Sequence, residues 1–262
     1  TYDKAAELAT VLGKNDEAEK WKKILSEWPD LSINETGLMI APNAPYAESH
    51  RHFSHQIGYH PLGIIDFSKG EENQKIVRNT ITNLDNLGSS QYVGYSFSWL
   101  ANMKARAFDG KGAAGALKIF TTSFCLPNSF HVNGDQSGKG YSNFTYRPFT
   151  LEGNFAFAAG LQEMLLQSHT GIIHIFPAIP SDWKNVSFKR LRAEGAFLVS
   201  ALKENGTVKK VLIQSEKGGI LKLKNPFANA DFKCTSQFEM NDDYIIFVRT
   251  KPNDIIEFEF KE

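Results

Sequence analysis

The spacing of the apolar residues changes near Gly171, and this change constrains the fold more than any other feature. Before this glycine, apolar side chains recur every three to four residues, as in amphipathic helices. After it they alternate with polar residues in short segments, and Asn205-Gly206 stands between two of these segments as a strong signal for a tight hairpin turn. The sequence therefore predicts an α+β protein with two domains, a helical domain over residues 1–171 and an antiparallel β-sandwich over residues 172–262.

Six helices are predicted in the first domain, with a C-terminal cap at Gly13 and a side-chain N-cap at Asn15. They span residues 3–12, 15–28, 71–87, 95–108, 113–124 and 154–168. Residues 31–61 and 127–150 fit helix poorly, and long irregular segments of this kind are often functional. Because five or six helices are too few to close a toroid of helical hairpins, we expect part of the helical domain to lie upstream of Thr1.

Composition argues against several classes of partner. Lys plus Arg and Asp plus Glu both number 29, so no basic excess is available to bind nucleic acid. No apolar run approaches the ~18 residues that a membrane span requires. Cys125 and Cys234 are too few for a disulfide framework and are expected to be lone thiols. The chain starts at Thr1 with no visible signal peptide, and we expect either a processed protein or a fragment.

Residues 48–60 read ESHRHFSHQIGYH and contain His50, His52, His55 and His60, four of the seven histidines in the chain. The outline H-x-H-x-S-H is close to the H-x-H-x-D-H motif of metallo-hydrolases, but Ser54 replaces the metal-binding Asp. The neighbouring sequence is also helical and irregular where that motif would follow a strand. We therefore expect no metal. Two alternatives remain: loop histidines that bind backbone groups, or a polar pocket for a ligand rich in hydroxyl groups.

A second group of candidate residues lies at the start of the last helix. Glu152 and Asn154 flank Gly153, which suggests a turn from which both side chains face one cavity. A carboxylate at a helix N-terminus is stabilised as the anion, and this favours a general base over a general acid. The alternative is that Glu152 only caps the helix.

Three stretches of the chain resemble glycoside hydrolase family 95, the inverting α-L-fucosidases of bacteria and plants. ESHRHFSHQIGYHP resembles the family segment H-R-H-x-S-H-L-x-x-x-x-P, and YSFSWLANMKARAFDG resembles its S-x-x-W-x-x-N-x-x-A-R-x-x-D-G helix. FTLEGNFAFAAGLQEMLLQSHTGIIHIFPAIPSDW resembles its Q-I-D-G-N-F-G-x-x-A-G-I-x-E-M-L-L-Q-S stretch and the L-P-A-L-P-x-x-W that follows. The resemblance covers roughly residues 35–200.

The resemblance implies part of an (α/α)6 toroid and exo-acting, inverting removal of a terminal α-L-fucose or a similar sugar from oligosaccharides. It implies that Glu152, at a position where the family has Asp, is the catalytic base. It further implies that His50, His52 and Arg51 bind the sugar, and that Asn154 either holds the turn or touches the ligand. The resemblance implies no cofactor and no metal. It implies a periplasmic or secreted location.

The general acid of the family lies well upstream of the base, and no segment before Glu152 matches it. Glu35 and Glu48 are available carboxylates, although Glu48 belongs to the histidine segment. We therefore expect a fragment that lacks the acid and has the missing N-terminal part of its own parent chain as a partner. The alternative is a non-catalytic carbohydrate-binding or scaffold fragment with Trp99 and Trp183 as stacking residues, although their sequence context favours packing.

Overall fold

The computed structural model describes residues 1–228 and 230–261, and within them six α-helices precede most of the strands. The helices are α1 (Tyr2–Val11), α2 (Asn15–Ser26), α3 (Glu71–Leu87), α4 (Gly94–Arg106), α5 (Gly110–Ser123) and α6 (Glu152–Leu165). The predicted mixture of helices and antiparallel strands is confirmed.

The helix bounds agree with the sequence where local signals are strong. Helix α3 has the predicted bounds, and Gly13 has φ +71° just after α1, as expected of a helix-terminating glycine. The predicted cap at Asn15 is wrong, because Lys14 is the N-cap of α2 and no side chain caps that helix. Helix α5 begins three residues early because the Asp109 carboxylate accepts a hydrogen bond from the Gly112 N–H.

The two segments that fit helix poorly contain only short elements. The first holds β1 (Ile33–Asn34), β2 (Gly37–Leu38) and a 3₁₀ turn at Ser54–Gln56. The second holds β3 (His131–Val132), which pairs with β4 (Phe149–Thr150) directly before α6. Helix side chains bond to both segments, because the Thr80 hydroxyl of α3 accepts from the Leu38 N–H at 2.9 Å and the Asn154 amide of α6 accepts from the His131 N–H at 3.0 Å.

Helix α4 is the centre of the helical half, because it packs against both α5 and α6. The Asn102 side chain donates a hydrogen bond of 2.8 Å to the Ala156 carbonyl of α6. One turn further on, the Arg106 guanidinium donates to both carboxylate oxygens of Glu163, at 2.6 and 2.7 Å. These contacts fix the position of α6 relative to α4.

Strands of the C-terminal half form two antiparallel sheets. The larger sheet has the order β11-β14-β9-β8-β7 and the smaller one the order β10-β13-β12. Their bounds are β7 (Val186–Ala193), β8 (Phe197–Glu204), β9 (Thr207–Ser215), β10 (Gly219–Lys224), β11 (Phe232–Cys234), β12 (Glu239–Met240), β13 (Ile245–Thr250) and β14 (Ile255–Phe260). The predicted hairpin is confirmed, because Asn205 and Gly206 alone connect β8 to β9 and both have positive φ.

One apolar cluster contains buried residues of both sheets, among them Val199 and Ile213 from the larger and Leu221 and Ile246 from the smaller. The segment after α6 joins the same cluster. Its two short strands, β5 (Leu166–Gln167) and β6 (His174–Ile175), pair across the turn at Gly171. The predicted boundary between the two domains, at residues 171 and 172, stays a prediction.

No helix within residues 1–228 and 230–261 combines the length and the apolar character needed to cross a membrane.

Candidate active site

The histidine segment forms one wall of a cavity of about 470 Å³. The cavity is lined by Ile40, Pro45, Tyr46, Ala47, Glu48, His50, His52, Ser54 and His55. His50, His52 and Glu48 are exposed, so their polar groups are accessible to a ligand that enters the cavity.

Hydrogen bonds within the segment set the direction of the two exposed imidazoles. The buried Tyr46 hydroxyl accepts from the His50 N–H and donates to the His50 carbonyl, both at 3.0 Å. The His50 Nδ1 atom accepts from the His52 N–H at 3.1 Å, and the Arg51 Nε–H donates to the His52 Nε2 atom at 3.2 Å. Hydrogen bonds within residues 50–52 thus fix both imidazole rings. Among the described residues, the His50 Nε2 atom has no protein partner.

The remaining histidines of the segment have packing roles. The His55 ring stacks on Tyr46 with 4.6 Å between ring centroids, and burial lowers its pKa to about 4. The His60 Nδ1 atom accepts a hydrogen bond of 3.1 Å from the Trp99 indole, and burial lowers the pKa of His60 to about 3. Burial, with Arg51 and His50 nearby, also lowers the pKa of His52. These three imidazoles are therefore neutral near pH 7. Of the three, His52 is the exposed one that lines the cavity, and it carries no positive charge there.

Glu152 is the first residue of α6, and its side chain is exposed. Among the described residues, its carboxylate has neither a hydrogen-bond partner nor an ion-pair partner. It does not cap the helix, because the N-cap is Leu151 and no side chain makes a capping bond there. An unpartnered carboxylate that faces solvent is able to accept a proton from a bound water molecule.

The expected turn around Gly153 is wrong, because residues 152–154 are already helical and their side chains point in different directions. Asn154 faces the neighbouring loop. Its Oδ1 atom accepts from the His131 N–H at 3.0 Å and its Nδ2 group donates to the Ser129 carbonyl at 2.9 Å. Both polar groups of the amide are thereby used in holding the loop, and a sugar contact by Asn154 stays a prediction.

The first turn of α4 lies between the two groups of candidate residues. The Ser96 hydroxyl donates to the Arg51 carbonyl at 2.7 Å. The neighbouring Tyr95 is half-buried, and burial raises the pKa of its phenol, with a further contribution from the negative charge of Glu152. The N-terminus of α4 is therefore bonded to the histidine segment and lies within electrostatic range of Glu152, which is not among the residues that line the histidine cavity.

Two residues near Glu152 were not predicted as site residues from the sequence. Tyr95 was assigned only to a helix, and His131 lay in an irregular segment that carried no recognisable motif. His131 is fully buried and lies in contact with the glycine that follows Glu152. No local pattern marks either residue, because their proximity to Glu152 arises from contacts between distant segments.

Within the described ranges, no group of three or more His, Cys, Asp or Glu side chains is placed so that it could hold a metal ion.

The helical half with its exposed carboxylate and the C-terminal half with its two sheets correspond to the two domains of one class of carbohydrate-active enzyme. Residues 1–165 match the glycosyl hydrolase family 95 catalytic domain, and residues 167–261 match the glycoside hydrolase family 95 C-terminal domain. The chain belongs to glycoside hydrolase family 95.

A curated relative from Arabidopsis thaliana, alpha-L-fucosidase 2, is 36% identical over 154 residues. The match covers 58% of this chain and 17% of the relative. The chain therefore spans a small part of the length of that relative.

Proposed function

We propose that the complete gene product containing this chain is an exo-acting, inverting glycosidase that removes a terminal α-L-fucose or a closely similar sugar from oligosaccharides. Family membership and the similarity to an α-L-fucosidase support the reaction class and the sugar. The observation that carries the proposal is the exposed, unpartnered carboxylate of Glu152 at the start of α6, next to a tightly packed glycine.

In this proposal Glu152 is the general base. It removes a proton from a water molecule whose oxygen attacks the anomeric carbon, while a general acid protonates the departing glycosidic oxygen. Its place at a helix N-terminus stabilises the anionic form that a base requires. The acid lies in a part of the parent chain upstream of Thr1, and that part is the partner that completes the site.

His50, His52 and Arg51 bind the sugar. A fucose ring offers hydroxyl groups that both donate and accept hydrogen bonds, and the Nε2 atom of His50, which is free among the described residues, suits such a ligand. Glu48 lines the same cavity and supplies a further acceptor. Asn154 acts on the same site by holding the loop beside Glu152, or by a direct contact once the ligand is bound.

The architecture proposed for the whole protein follows the family. The six helices form part of an (α/α)6 toroid, and the two sheets that share one core form a β-sandwich. The protein acts in the periplasm or outside the cell.

The non-catalytic alternative loses its main support in the structure. Trp99 is only 8% exposed and donates its indole N–H to His60, so its ring is not available to stack on a sugar. Trp183 packs against the apolar cluster that α4, α5 and α6 share. The prediction that both tryptophans pack is confirmed.

The proposal is tested by using NMR to follow the hydrolysis of 2′-fucosyllactose by the complete gene product. The first sugar released is expected to be β-L-fucose, the inverted anomer. Glu152→Gln is expected to lower kcat by about 10²–10⁴-fold, the usual contribution of a general acid or base. Glu163→Gln is not a suitable control because it breaks the largely buried ion pair with Arg106. Glu7→Gln breaks only a solvent-exposed ion pair with Lys4 on α1, makes the same change in charge and should leave kcat unchanged. Release of α-L-fucose first, or near-native turnover by Glu152→Gln, would overturn the proposal.

A further inference from the structure

A buried imidazole fills the space between the N-termini of α4 and α6. His131 has no exposed surface, and its ring lies 5.2 Å from that of Phe120. A Cβ atom on Gly94, the first residue of α4, would come within 2.3 Å of the His131 Nε2 atom. A Cβ atom on Gly153, the second residue of α6, would come within 2.5 Å of its Nδ1 atom. Glycine is needed at both helix starts because the imidazole occupies the place of a side chain.

The same histidine is bonded to the chain on both sides of Glu152. Its Nδ1 atom lies 2.6 Å from the Thr150 hydroxyl, a hydrogen-bond distance, and the two residues face each other in the β3–β4 pair. Its main-chain N–H donates to the Asn154 side chain at 3.0 Å. Thr150 stands two residues before Glu152 and Asn154 two residues after it, so both attachments act directly on the backbone that carries the carboxylate.

We infer that His131 is a positioning residue for the reaction: it holds the backbone from Thr150 to Asn154 and thereby sets where the Glu152 carboxylate meets the attacking water. The inference rests on the proposed role of Glu152 as the general base. His131 itself touches no reacting atom, because its ring is fully buried.

The charge state of the ring agrees with a positional role. Burial lowers the pKa of His131, and the negative charge of Glu152 opposes only part of this effect. The two helix N-termini that meet at the ring also disfavour a positive charge. The imidazole is therefore neutral in the working pH range, and its contribution to catalysis is a fixed position and not a proton transfer.

Positional precision of this kind has a large effect on rate, because a displacement of about 1 Å at a catalytic group costs on the order of 10²-fold. Gly153 leaves no free volume beside the ring, so any movement of the imidazole is transmitted to the first turn of α6. A residue that only filled space would affect stability but would not need a ring nitrogen at hydrogen-bond distance from the Thr150 hydroxyl, which is the contact that the His131 side chain itself makes beside Glu152.

The test uses the complete gene product with four substitutions. His131→Leu replaces the imidazole with an apolar side chain of similar size and so removes the ring nitrogens. Thr150→Val removes the hydroxyl at the other end of the same hydrogen bond with little change in shape. His131→Asn keeps a polar atom near the position of Nδ1. Val211→Ala, in the buried core of the C-terminal sheets and not at the start of α6, is the control for loss of stability.

We expect His131→Leu and Thr150→Val to lower kcat by about 10–100-fold, with KM changed less than about threefold, since the displaced group is the base. His131→Asn should recover most of that loss. The pH dependence of kcat should keep its shape in all variants, because burial lowers the pKa of His131 and leaves the ring neutral at pH 7. Val211→Ala should lower the melting temperature and leave kcat within about twofold. A loss of kcat in His131→Leu and Thr150→Val no greater than that in Val211→Ala would overturn the inference.

A second measurement does not depend on activity. Hydrogen exchange of the amides at residues 155–158, the first hydrogen-bonded amides of α6, should speed up by about tenfold in His131→Leu and Thr150→Val, the effect of losing one hydrogen bond, and should not change in Val211→Ala. If the wild-type protein released no fucose but exchange still rose, the proposed function would fail and the positioning of the helix start would stand. Unchanged exchange in both variants would overturn the inference whatever the activity. Should His131→Leu not fold, Thr150→Val alone decides the result.

Discussion

The Ser96 hydroxyl donates a hydrogen bond of 2.7 Å to the main-chain oxygen of Arg51. This bond attaches the loop that carries His50 and His52 to the first turn of α4, the helix next to Glu152. Ser96 is fully buried, and its Oγ atom also accepts from the Val93 N–H at 3.2 Å. Its hydroxyl therefore joins the histidine segment, for which we propose sugar binding, to the first turn of α4.

Ser96→Ala should lower the free energy of unfolding by about 1–3 kcal/mol, because the Arg51 carbonyl and the Val93 N–H each lose a partner. In the complete gene product it should also raise KM, since the histidine segment is less firmly held. Urea unfolding and steady-state kinetics measure the two effects.

Ser98→Ala is the matched control for this prediction. Ser98 is two residues further along α4 and equally buried, but its Oγ atom has no hydrogen-bond partner within residues 1–228 and 230–261. Removing an unpaired buried hydroxyl is expected to leave stability unchanged or to raise it by up to about 1 kcal/mol. Equal destabilisation by the two substitutions would show that the bond to Arg51 has no structural role.

Chelation of metal ions should leave the protein unaffected. The residue at the position of a second-metal ligand is Ser54, and the imidazoles of His55 and His60 are occupied by packing and by Trp99. We expect EDTA to change neither the activity of the complete gene product nor its melting temperature. Stoichiometric zinc in elemental analysis, lost together with activity on chelation, would contradict a sugar-binding role for the histidines.

Residues 1–262 expressed alone should not hydrolyse 2′-fucosyllactose. Inverting hydrolysis needs two carboxyl groups about 6.5–9.5 Å apart, and this chain supplies Glu152 but no residue that matches the family acid. Without an acid the sugar leaving group departs unprotonated, and a contribution worth several kcal/mol is lost.

α-L-Fucosyl fluoride separates this explanation from a simple loss of folding, because fluoride leaves without help from an acid. Turnover of the fluoride alone, abolished by Glu152→Gln, is the expected result. Turnover of 2′-fucosyllactose by the isolated chain would show that the acid lies among residues 1–151, and Glu48, which lines the histidine cavity, would be the first to replace.

Stability should fall as the pH is lowered from 7 to 5. In the folded protein burial lowers the pKa of His60 to about 3 and that of His55 and His174 to about 4, whereas an unfolded histidine titrates near 6.5. Between these values the unfolded chain binds more protons than the native protein, so the free energy of unfolding decreases as the pH falls. The loss is expected to be about 1–2 kcal/mol for His60 by pH 5.

Urea unfolding at pH 7 and pH 5 measures this effect. His60→Gln keeps an acceptor for the Trp99 indole but cannot take up a proton, so the difference between the two pH values should become smaller. His50→Gln changes an exposed histidine in the same segment and should leave the difference as it is. A pH dependence identical in His60→Gln and the wild type would contradict the prediction.

Local signals in the sequence were sufficient for most elements of the fold. The periodicity over Glu71–Leu87 predicted α3 with its bounds, and the pair Asn205-Gly206 predicted the hairpin between β8 and β9. Both depend on interactions between near neighbours in the chain, as helix periodicity and turn propensity do. The sequence of strand β7 lacks regular alternation, because a bulge with Arg190 at positive φ interrupts the strand between Phe188 and Leu191.

Residue types and family motifs in the sequence also identified Glu152 and the HRH segment as candidates, but their surroundings were decided only by tertiary structure. Local reasoning placed Glu152 and Asn154 together in a turn, whereas the helix begins at Glu152 and Asn154 turns away to bind the loop at His131. The bond from Ser96 to Arg51 joins residues far apart in the chain, and the burial of His131 requires glycines at the starts of two separate helices. Such contacts leave no periodic pattern, because they depend on which distant segments meet when the apolar faces of α4, α5 and α6 are buried against one another.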